Sequence, residues 1–292
     1  MIRNPDAKAR LLALLDWNVD MGIIDSIGEG PTRRYGADPL PAAAAAAPRG
    51  DGEGGGGRGR DRPAAAGAAR ASPAPGGGGG GGPADEIAGA REIAARCRDL
   101  AELERAVREF DGCRLRDTAM NPCFADGSPD AEVMFIGEAP GAEEDRQGRP
   151  FCGPSGRLLD RMLAAIGLDR SEVYITNVIY WRPPGNRTPT AAEVAVCSAF
   201  LERQIELLNP RLIVFVGGIA ARALLGVKEG VTKLRGRGYE YRPPDGGRAI
   251  PAMVLFHPAY LLRQPAQKRL AWRDMLALKL QLERLREEEG RA

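Results

Sequence analysis

Short apolar runs alternate with longer amphipathic segments through the second half of the chain. The apolar runs predict buried β-strands near residues 132–136, 173–178, 211–216 and 252–256. The amphipathic segments predict helices near residues 154–166, 190–208, 218–225 and 266–288. Alternation of strand and helix is typical of a parallel sheet covered on both faces. The predicted fold class is therefore α/β, a three-layer α/β/α sandwich with a central four-stranded parallel sheet.

Residues 85–110 predict two further helices ahead of the first strand. Asp99 and Glu102 have the spacing of a capping box at the start of the second one. Thr190 and Glu193 repeat this spacing at the start of the long helix that follows the second strand. These signals fix where the helices are expected to begin.

Composition divides the chain into three parts. Residues 1–35 form a predicted N-terminal helical segment, because residues 7–23 carry apolar side chains at helical spacing. Residues 36–84 consist largely of Gly, Ala, Pro and Arg, so we expect a disordered linker that cannot bury enough apolar surface to fold. Residues 85–292 are the predicted catalytic domain.

The charge balance and hydropathy exclude several classes of protein. A net charge of +2, from 41 basic and 39 acidic residues, excludes binding of nucleic acid by bulk charge and requires local basic loops instead. The apolar stretch Leu11–Leu15 is short and ends at Asp16, which does not predict a signal peptide. No apolar run has the length of a membrane span. We therefore expect a cytoplasmic protein.

Candidate chemistry is densest in the segment from Ile136 to Gly156, IGEAPGAEEDRQGRPFCGPSG, which follows the first strand. Open α/β sheets bind ligands at the carboxyl ends of their strands. Gly137 and Gly141 allow close approach of a ligand to the backbone, and Phe151 offers a flat face for stacking. Carboxylates for acid–base or electrostatic work are supplied by Glu138, Glu143, Glu144 and Asp145.

Two further segments place polar side chains at the ends of predicted strands. Asn177 opens NVIYWRPPGNRTPT and can both donate and accept hydrogen bonds. His257 lies in FHPAYLLRQP and is the only histidine of the chain, which excludes a Ser-His-Asp triad elsewhere and a site of several histidines for a metal. Both residues are expected at the sheet edge that carries the first segment.

The three segments, in this order, resemble the motifs of the family 4 uracil-DNA glycosylases, and the resemblance extends from Cys113 to about Leu285. It implies hydrolysis of the N-glycosidic bond of a flipped-out deoxyuridine. The implied uracil-binding residues are Gly137, Ala139, Phe151, Asn177 and His257. The implied catalytic residues are Glu138, Glu144, Asp145 and His257, with His257 donating a hydrogen bond to uracil O2.

Each of these residues also has an ordinary structural interpretation. On this interpretation Phe151 is a core residue at a turn, and Asn177 is a cap at the end of a strand. His257 is then a buried residue whose hydrogen bonds are satisfied. On the same interpretation the carboxylates form surface ion pairs with Arg146 or Arg149. Ala139 stands where some family members have glycine, and Ala142 where some have glutamate, which leaves the activation of water open.

Basic loops near these segments are the predicted DNA-binding surface. Arg182 and Arg187 flank a rigid Pro-Pro-Gly-Asn turn. The remaining predicted contacts are Lys233, Arg235, Leu262, Arg263 and Lys268, of which Leu262 is a candidate apolar wedge that holds the base out of the stack.

The cysteines depart from the family pattern. The resemblance implies a [4Fe–4S] cluster bound by four thiolates. The four aligned positions carry Phe110, Cys113, Trp181 and Cys197, so two ligands are missing. We therefore expect no cofactor and no metal, with Cys113 and Cys197 as vestigial cluster positions. A rewired cluster that uses Cys97 or Cys123 stays an open alternative.

The sequence thus predicts a monomeric, monofunctional uracil-DNA glycosylase that acts on uracil-containing DNA, starts base-excision repair and is associated with the nucleoid. One alternative is a catalytically weak protein that binds uracil-DNA. Another is a nucleotide-binding or polymerase-associated module without hydrolytic activity. No repair partner of the N-terminal linker is indicated.

Overall fold

The computed structural model describes residues 82–289, so the predicted N-terminal helix and almost all of the linker lie outside the described residues. The first helix, α1 (Pro83–Arg96), begins two residues before the predicted start of the catalytic domain. It is followed by α2 (Leu100–Glu109), whose N-cap Asp99 accepts the amide of Glu102 at 2.7 Å. The two predicted helices at the start of the domain are thereby confirmed.

A single six-stranded sheet forms the centre of the domain. Its strands are β1 (Asp126–Gly127), β2 (Val133–Gly137), β3 (Tyr174–Asn177), β4 (Leu212–Val216), β5 (Gly238–Tyr241) and β6 (Ile250–Leu255). They lie in the order β1-β3-β2-β4-β6-β5. The inner four, β3, β2, β4 and β6, are parallel, which confirms the predicted parallel sheet.

The prediction of four strands was incomplete, because an antiparallel strand borders the sheet on each side. β1 is only two residues long, Asp126 and Gly127, and has no apolar pattern to reveal it. β5 is largely exposed and carries only Tyr241 as a buried residue. Edge strands with one solvated side and little apolar content give a weak signal in sequence.

The other helices are α3 (Ala142–Gln147), α4 (Pro154–Ala165), α5 (Ala191–Leu208), α6 (Gly218–Leu225), α7 (Val231–Leu234), α8 (Pro258–Arg263) and α9 (Lys268–Glu289). Every residue of β2 and β4 is buried, because helices cover both faces of the sheet. One core joins the sheet to α1, α2, α5 and α6, and a second joins it to α4, α8 and α9. The three-layer α/β/α prediction is confirmed.

Local signals explain the bounds of the longest central helix. The hydroxyl of Thr190 accepts the amide of Glu193 at 3.3 Å, and the carboxylate of Glu193 accepts the amide of Thr190 at 2.7 Å. The helix ends at Asn209, which adopts the left-handed conformation with φ 47°. Within residues 82–289, no helix is long and apolar enough to cross a membrane.

Candidate functional site

A cavity of about 430 Å³ opens at the carboxyl ends of the parallel strands. Its walls come from the segments after β2, β3 and β6. Strands β2 and β3 are neighbours in the sheet, and β4 lies between β2 and β6. The predicted site residues among its lining are Glu138, Ala139, Glu144, Phe151, Asn177, Arg187, His257 and Arg263. Segments that are up to 125 positions apart in sequence therefore form one site, as the strand order predicts.

One wall of the cavity is built from Gly137, Phe151 and Asn177. A Cβ atom at Gly137 would lie 2.4 Å from Asn177 Oδ1 and 2.6 Å from the Phe151 ring, so only glycine allows this contact. The side chain of Asn177 is 2% exposed, and its amide makes no hydrogen bond to any of residues 82–289. A buried amide without a partner at a cavity is available to a ligand.

Phe151 has a strained backbone that fixes its ring at the cavity. Its φ of 52° is in the left-handed region, which is unusual for a residue with a side chain. Gly156 of α4 lies against its carbonyl group, since a Cβ atom at Gly156 would come within 1.5 Å of Phe151 O. The Phe151 ring also lies over the imidazole of His257, with centroids 5.5 Å apart and an angle of 28°. Helix α4 thus holds the aromatic face in place.

His257 is the N-cap of α8, and its Nδ1 accepts the amide of Ala259 at 3.1 Å. Because Nδ1 accepts, the neutral ring carries its proton on Nε2 and is a donor there. Burial, aided by the charge of Arg263, lowers the pKa of His257 to about 4. At neutral pH the cavity therefore holds a neutral imidazole with a single N–H donor.

Two carboxylates of the cavity have different surroundings. Glu144 accepts the amides of Gly141 at 3.2 Å and Gly153 at 2.9 Å, and so connects the first turns of α3 and α4. Glu138 has no side-chain hydrogen bond within the described residues. Burial raises the pKa of Glu138, and the charge of Arg222 opposes this shift. Glu138 is thus the carboxylate with free acceptor capacity.

Asp145, a predicted catalytic residue, does not line the cavity. Its carboxylate is buried and accepts the amides of Met120 at 2.7 Å and Asn121 at 3.3 Å. Arg182 approaches the same carboxylate at 3.8 Å. Asp145 therefore holds the segment before β1 in place, which favours a structural role over the predicted catalytic one.

The predicted basic residues separate into two groups. Arg187 and Arg263 line the cavity, and Arg187 also forms a two-point ion pair with Glu193. Arg182 does not line it and donates to Asn186 Oδ1 at 2.8 Å. The exposed Leu262 adjoins Arg263 on α8. The rim of the cavity therefore carries cations and one exposed apolar side chain.

Lys233, Arg235 and Lys268 are not part of the cavity lining. Lys233 is exposed on α7, and Lys268 is half-buried at the start of α9. Arg235 forms an ion pair with the buried Asp274 and keeps only 15% of its side chain exposed. Its guanidinium is therefore already used inside the domain, which argues against the predicted contact of Arg235 with DNA.

Sequence analysis named Gly141 as a point of close ligand approach but assigned no site role to several other lining residues, namely Pro140, Ser155, Pro183, Asn186, Ala259 and Tyr260. Tyr260 had a usable signal, because it follows His257 by three positions on a helix and so shares its face. Ser155 lies in the first turn of α4, close to Phe151 in sequence. Asn186 gave no signal, since its left-handed φ of 56° is visible only in the structure.

The positions aligned with cluster ligands do not fit an iron–sulfur cluster. Phe110 contacts Phe200 edge to face, with ring centroids 5.0 Å apart, and Trp181 is 1% exposed in the same core. The thiols of Cys113 and Cys197 hydrogen-bond to each other. Two thiols, a phenyl ring and an indole ring supply half the ligands that the cluster requires.

Two of the other three cysteines, the suggested substitutes Cys97 and Cys123, donate hydrogen bonds to backbone carbonyl groups. Cys97 donates to Ile93 O at 3.4 Å, and Cys123 donates to Glu144 O at 3.1 Å. Within residues 82–289, no three side chains of His, Cys, Asp or Glu are arranged to bind a metal ion. The absence of a cofactor stays a prediction.

Fold and site together define a class of protein. The domain is an α/β/α sandwich whose pocket offers a flat aromatic face, an unpaired amide and a neutral imidazole to one small ligand. These are the groups that recognise a planar polar ring such as a nucleobase. Cations at the rim suit a phosphate backbone attached to that ring.

A family model described as the uracil DNA glycosylase superfamily matches residues 124–281, more than half of the chain, and the chain belongs to this superfamily. The type-4 uracil-DNA glycosylase of Archaeoglobus fulgidus is 42% identical over 171 residues, which cover 57% of this chain and 86% of the relative. The type-4 enzyme of Thermotoga maritima is 43% identical over 162 residues, which cover 55% of this chain and 82% of the relative. The type-4 enzyme of Pyrobaculum aerophilum is 40% identical over 172 residues, which cover 58% of this chain and 87% of the relative.

Proposed function

We propose that the cavity binds a uracil flipped out of DNA and hydrolyses its N-glycosidic bond, which releases uracil and leaves an abasic site. The chain is a uracil-DNA glycosylase of the type-4 kind, a hydrolytic DNA N-glycosylase of DNA repair. The observation that carries the proposal is the unpaired amide of Asn177 beside Phe151 and the neutral His257 in one cavity.

Recognition of the base rests on stacking and on one amide. Phe151 stacks on the extruded ring, and Asn177 faces the edge that carries N3 and O4. An amide accepts a hydrogen bond from uracil N3–H and donates one to O4. Cytosine presents an amino donor and a bare N3 at the same edge, so it opposes a donor with a donor. Gly137 allows Phe151 and Asn177 to meet at this side of the cavity, and Ala139 lines the cavity beside them.

Departure of the base requires stabilisation of negative charge. As the bond between C1′ and N1 breaks, the bonding electrons leave with uracil, and charge develops on its O2. His257 donates from Nε2 to this oxygen, and its low pKa supports the neutral form as the donor. A donor placed where charge develops is worth about 3–4 kcal/mol in the transition state. The uracil anion later takes a proton from solvent.

Water then adds to the positively charged sugar. Glu138 is the carboxylate with free acceptor capacity, so we propose that it holds the attacking water and receives its proton. Glu144, whose oxygens already accept two backbone amides, contributes negative charge near the sugar rather than a proton transfer. The products are free uracil and an abasic site.

The DNA backbone is proposed to contact the rim of the cavity. Arg187 and Arg263 are the first candidates because they line it, and Leu262 is the proposed wedge that replaces the base in the stack. Arg182, Lys233 and Lys268 are proposed outer contacts. The proposed active form is a monomer. We propose that this monomer acts in the cytoplasm, associated with the nucleoid.

The test is incubation of the full chain with a labelled oligonucleotide that contains one uracil, followed by alkali, which cleaves at abasic sites. The matched control carries thymine or cytosine at the same position. We expect cleavage of the uracil strand alone. In His257→Ala the activation free energy of the single-turnover reaction should rise by about 2–4 kcal/mol, with little change in DNA affinity. Tight binding without cleavage would indicate a uracil-DNA-binding protein. Binding of free nucleotides without cleavage would indicate a nucleotide-binding module.

A further inference from the structure

Arg235 lies at a junction of three structural elements behind the cavity. It follows α7, and its guanidinium donates to Asp274 Oδ2 at 2.7 Å, with a second hydrogen bond to Asp274 Oδ1. It also donates to Leu270 O at 2.7 Å, so two groups of α9 hold it. Asp274 is 2% exposed and has no other side-chain partner within residues 82–289. The planar guanidinium is therefore fixed by three hydrogen bonds.

The free face of this guanidinium lies on the residue before the histidine. Arg235 Cζ is 5.2 Å from the centroid of the Phe256 ring, and Phe256 is buried. The Phe256 ring contacts the ring of Tyr260 at a centroid distance of 5.0 Å. Tyr260 lines the cavity, and its amide donates to His257 O at 2.9 Å. A continuous set of contacts thus connects Arg235 to both sides of His257.

We propose that Arg235 is a positioning residue for His257, acting through Phe256 and Tyr260, and that it makes no contact with DNA. A guanidinium stacked on a ring and bound on its edge by a carboxylate fixes the orientation of that ring. The start of α8, where His257 accepts an amide as N-cap, then has a rigid support on its inner side. For the rate of uracil release, this inference rests on the proposed function.

The histidine itself provides a readout that needs no activity. His257 is the only histidine in the chain, so ¹⁵N-histidine labelling gives the imidazole signals of one residue. Arg235→Lys keeps the charge but loses the planar two-point bond and the stacking face. The matched control is Arg237→Lys, the same change at an exposed position two residues away. We expect shifted imidazole signals in Arg235→Lys and unchanged signals in Arg237→Lys.

The kinetic expectation follows from the same geometry. In Arg235→Lys the single-turnover rate at saturating DNA falls roughly ten- to a hundredfold, because a displaced donor loses its alignment with the leaving group. The Kd for uracil-containing DNA stays within about twofold of the wild-type value, since no phosphate contact is lost. Phe256→Leu, which removes the stacked ring from the middle of the contact series, reproduces both effects and serves if Arg235→Lys does not fold.

A salt titration separates positioning from DNA binding. The double substitution Arg235→Met with Asp274→Leu removes the ion pair without leaving a charge unpaired. We expect the DNA affinity of this double variant to depend on salt concentration as that of the wild type does. Loss of a phosphate contact would instead lower the slope of log affinity against log salt concentration by about one. A lowered slope, or wild-type imidazole signals in both Arg235→Lys and Phe256→Leu, overturns the inference. If the wild type releases no uracil but the imidazole signals shift, the proposed function fails and the positioning of His257 stands.

Discussion

At the scale of single residues, Asn177 is the side chain on which base selection depends. The substitution Asn177→Asp removes the amide donor while it keeps the shape of the side chain. We expect a slower release of uracil and an increased relative rate for cytosine, whose amino group now finds an acceptor. The measurement compares single-turnover rates on uracil and cytosine oligonucleotides of the same sequence. Unchanged uracil kinetics would assign base reading to another group.

His257 gives a second prediction at this scale, concerning pH. The pKa of His257 in the fold is about 4, below the ordinary value of 6.5. Between these two values the unfolded chain binds a proton that the folded chain does not, so this residue makes stability decrease as pH falls through the window. Above pH 6.5 its contribution is fully present. An NMR titration of the single imidazole should show a midpoint near pH 4 in the free protein, and a midpoint at 6.5 would contradict a buried neutral donor.

The carboxylates show how far residue types alone can lead. Four acidic residues in the first motif were equivalent in sequence, yet the fold gives them different partners. Glu144 binds two amides, Asp145 binds the segment at Met120, and Glu138 keeps free acceptor capacity. Nothing in the sequence distinguishes them, because their partners are backbone amides up to 25 positions away. Long-range backbone contacts are the part of the site that pattern analysis cannot predict.

At the scale of elements, Glu144 connects two helices of the first motif. Glu144→Gln keeps an acceptor oxygen for one of the amides of Gly141 and Gly153, whereas Glu144→Ala leaves both amides without this partner. We expect Glu144→Ala to lower the free energy of unfolding by about 1–3 kcal/mol, because a partly buried donor loses its acceptor. Glu144→Gln should lose less stability, and its single-turnover rate should fall less than that of Glu138→Gln. Urea unfolding and single-turnover rates of the two variants provide the measurement.

The contrasting variant is Glu138→Gln, which leaves all described side-chain hydrogen bonds intact. It should fold with wild-type stability or better, since a buried charge is removed, but release uracil more slowly. If Glu144→Gln is the slower of the two and Glu138→Gln is normal, the proposed roles of these carboxylates are reversed.

Most elements were predictable because their signals are local. The N-cap Asp99 and the capping box at Thr190 fix helix starts within a few residues. The fully buried strands β2 and β4 leave little alternative to a covered parallel sheet. Helix α3 was missed inside the first motif. It is only six residues long, and its sequence, AEEDRQ, has no apolar face to bury. Such a helix is stabilised by its caps rather than by a pattern.

At the scale of the whole molecule, the core around Phe110 and Trp181 determines whether the protein is a metalloprotein. We expect the purified protein to be colourless and to contain no stoichiometric iron, because the aligned positions supply two thiolates where the cluster needs four. Cys113→Ser and Cys197→Ser should fold and retain activity, at a modest cost from the changed contacts in the core. Metal analysis of anaerobically prepared protein is the measurement. Near-stoichiometric iron and sulfide would reveal ligands outside residues 82–289 or a rearranged core.

The contact between Gly156 and Phe151 has a consequence for attempts to engineer the base preference. Position 156 tolerates no side chain, because any Cβ atom would overlap the Phe151 carbonyl group. Position 151 excludes β-branched residues, which are strongly disfavoured at a φ of 52°. Saturation libraries should therefore return almost only glycine at position 156 and no Val, Ile or Thr at position 151. Variation that admits a larger base has to be sought at Ala139, Ser155 and Tyr260, where the cavity is bordered by side chains on ordinary backbone.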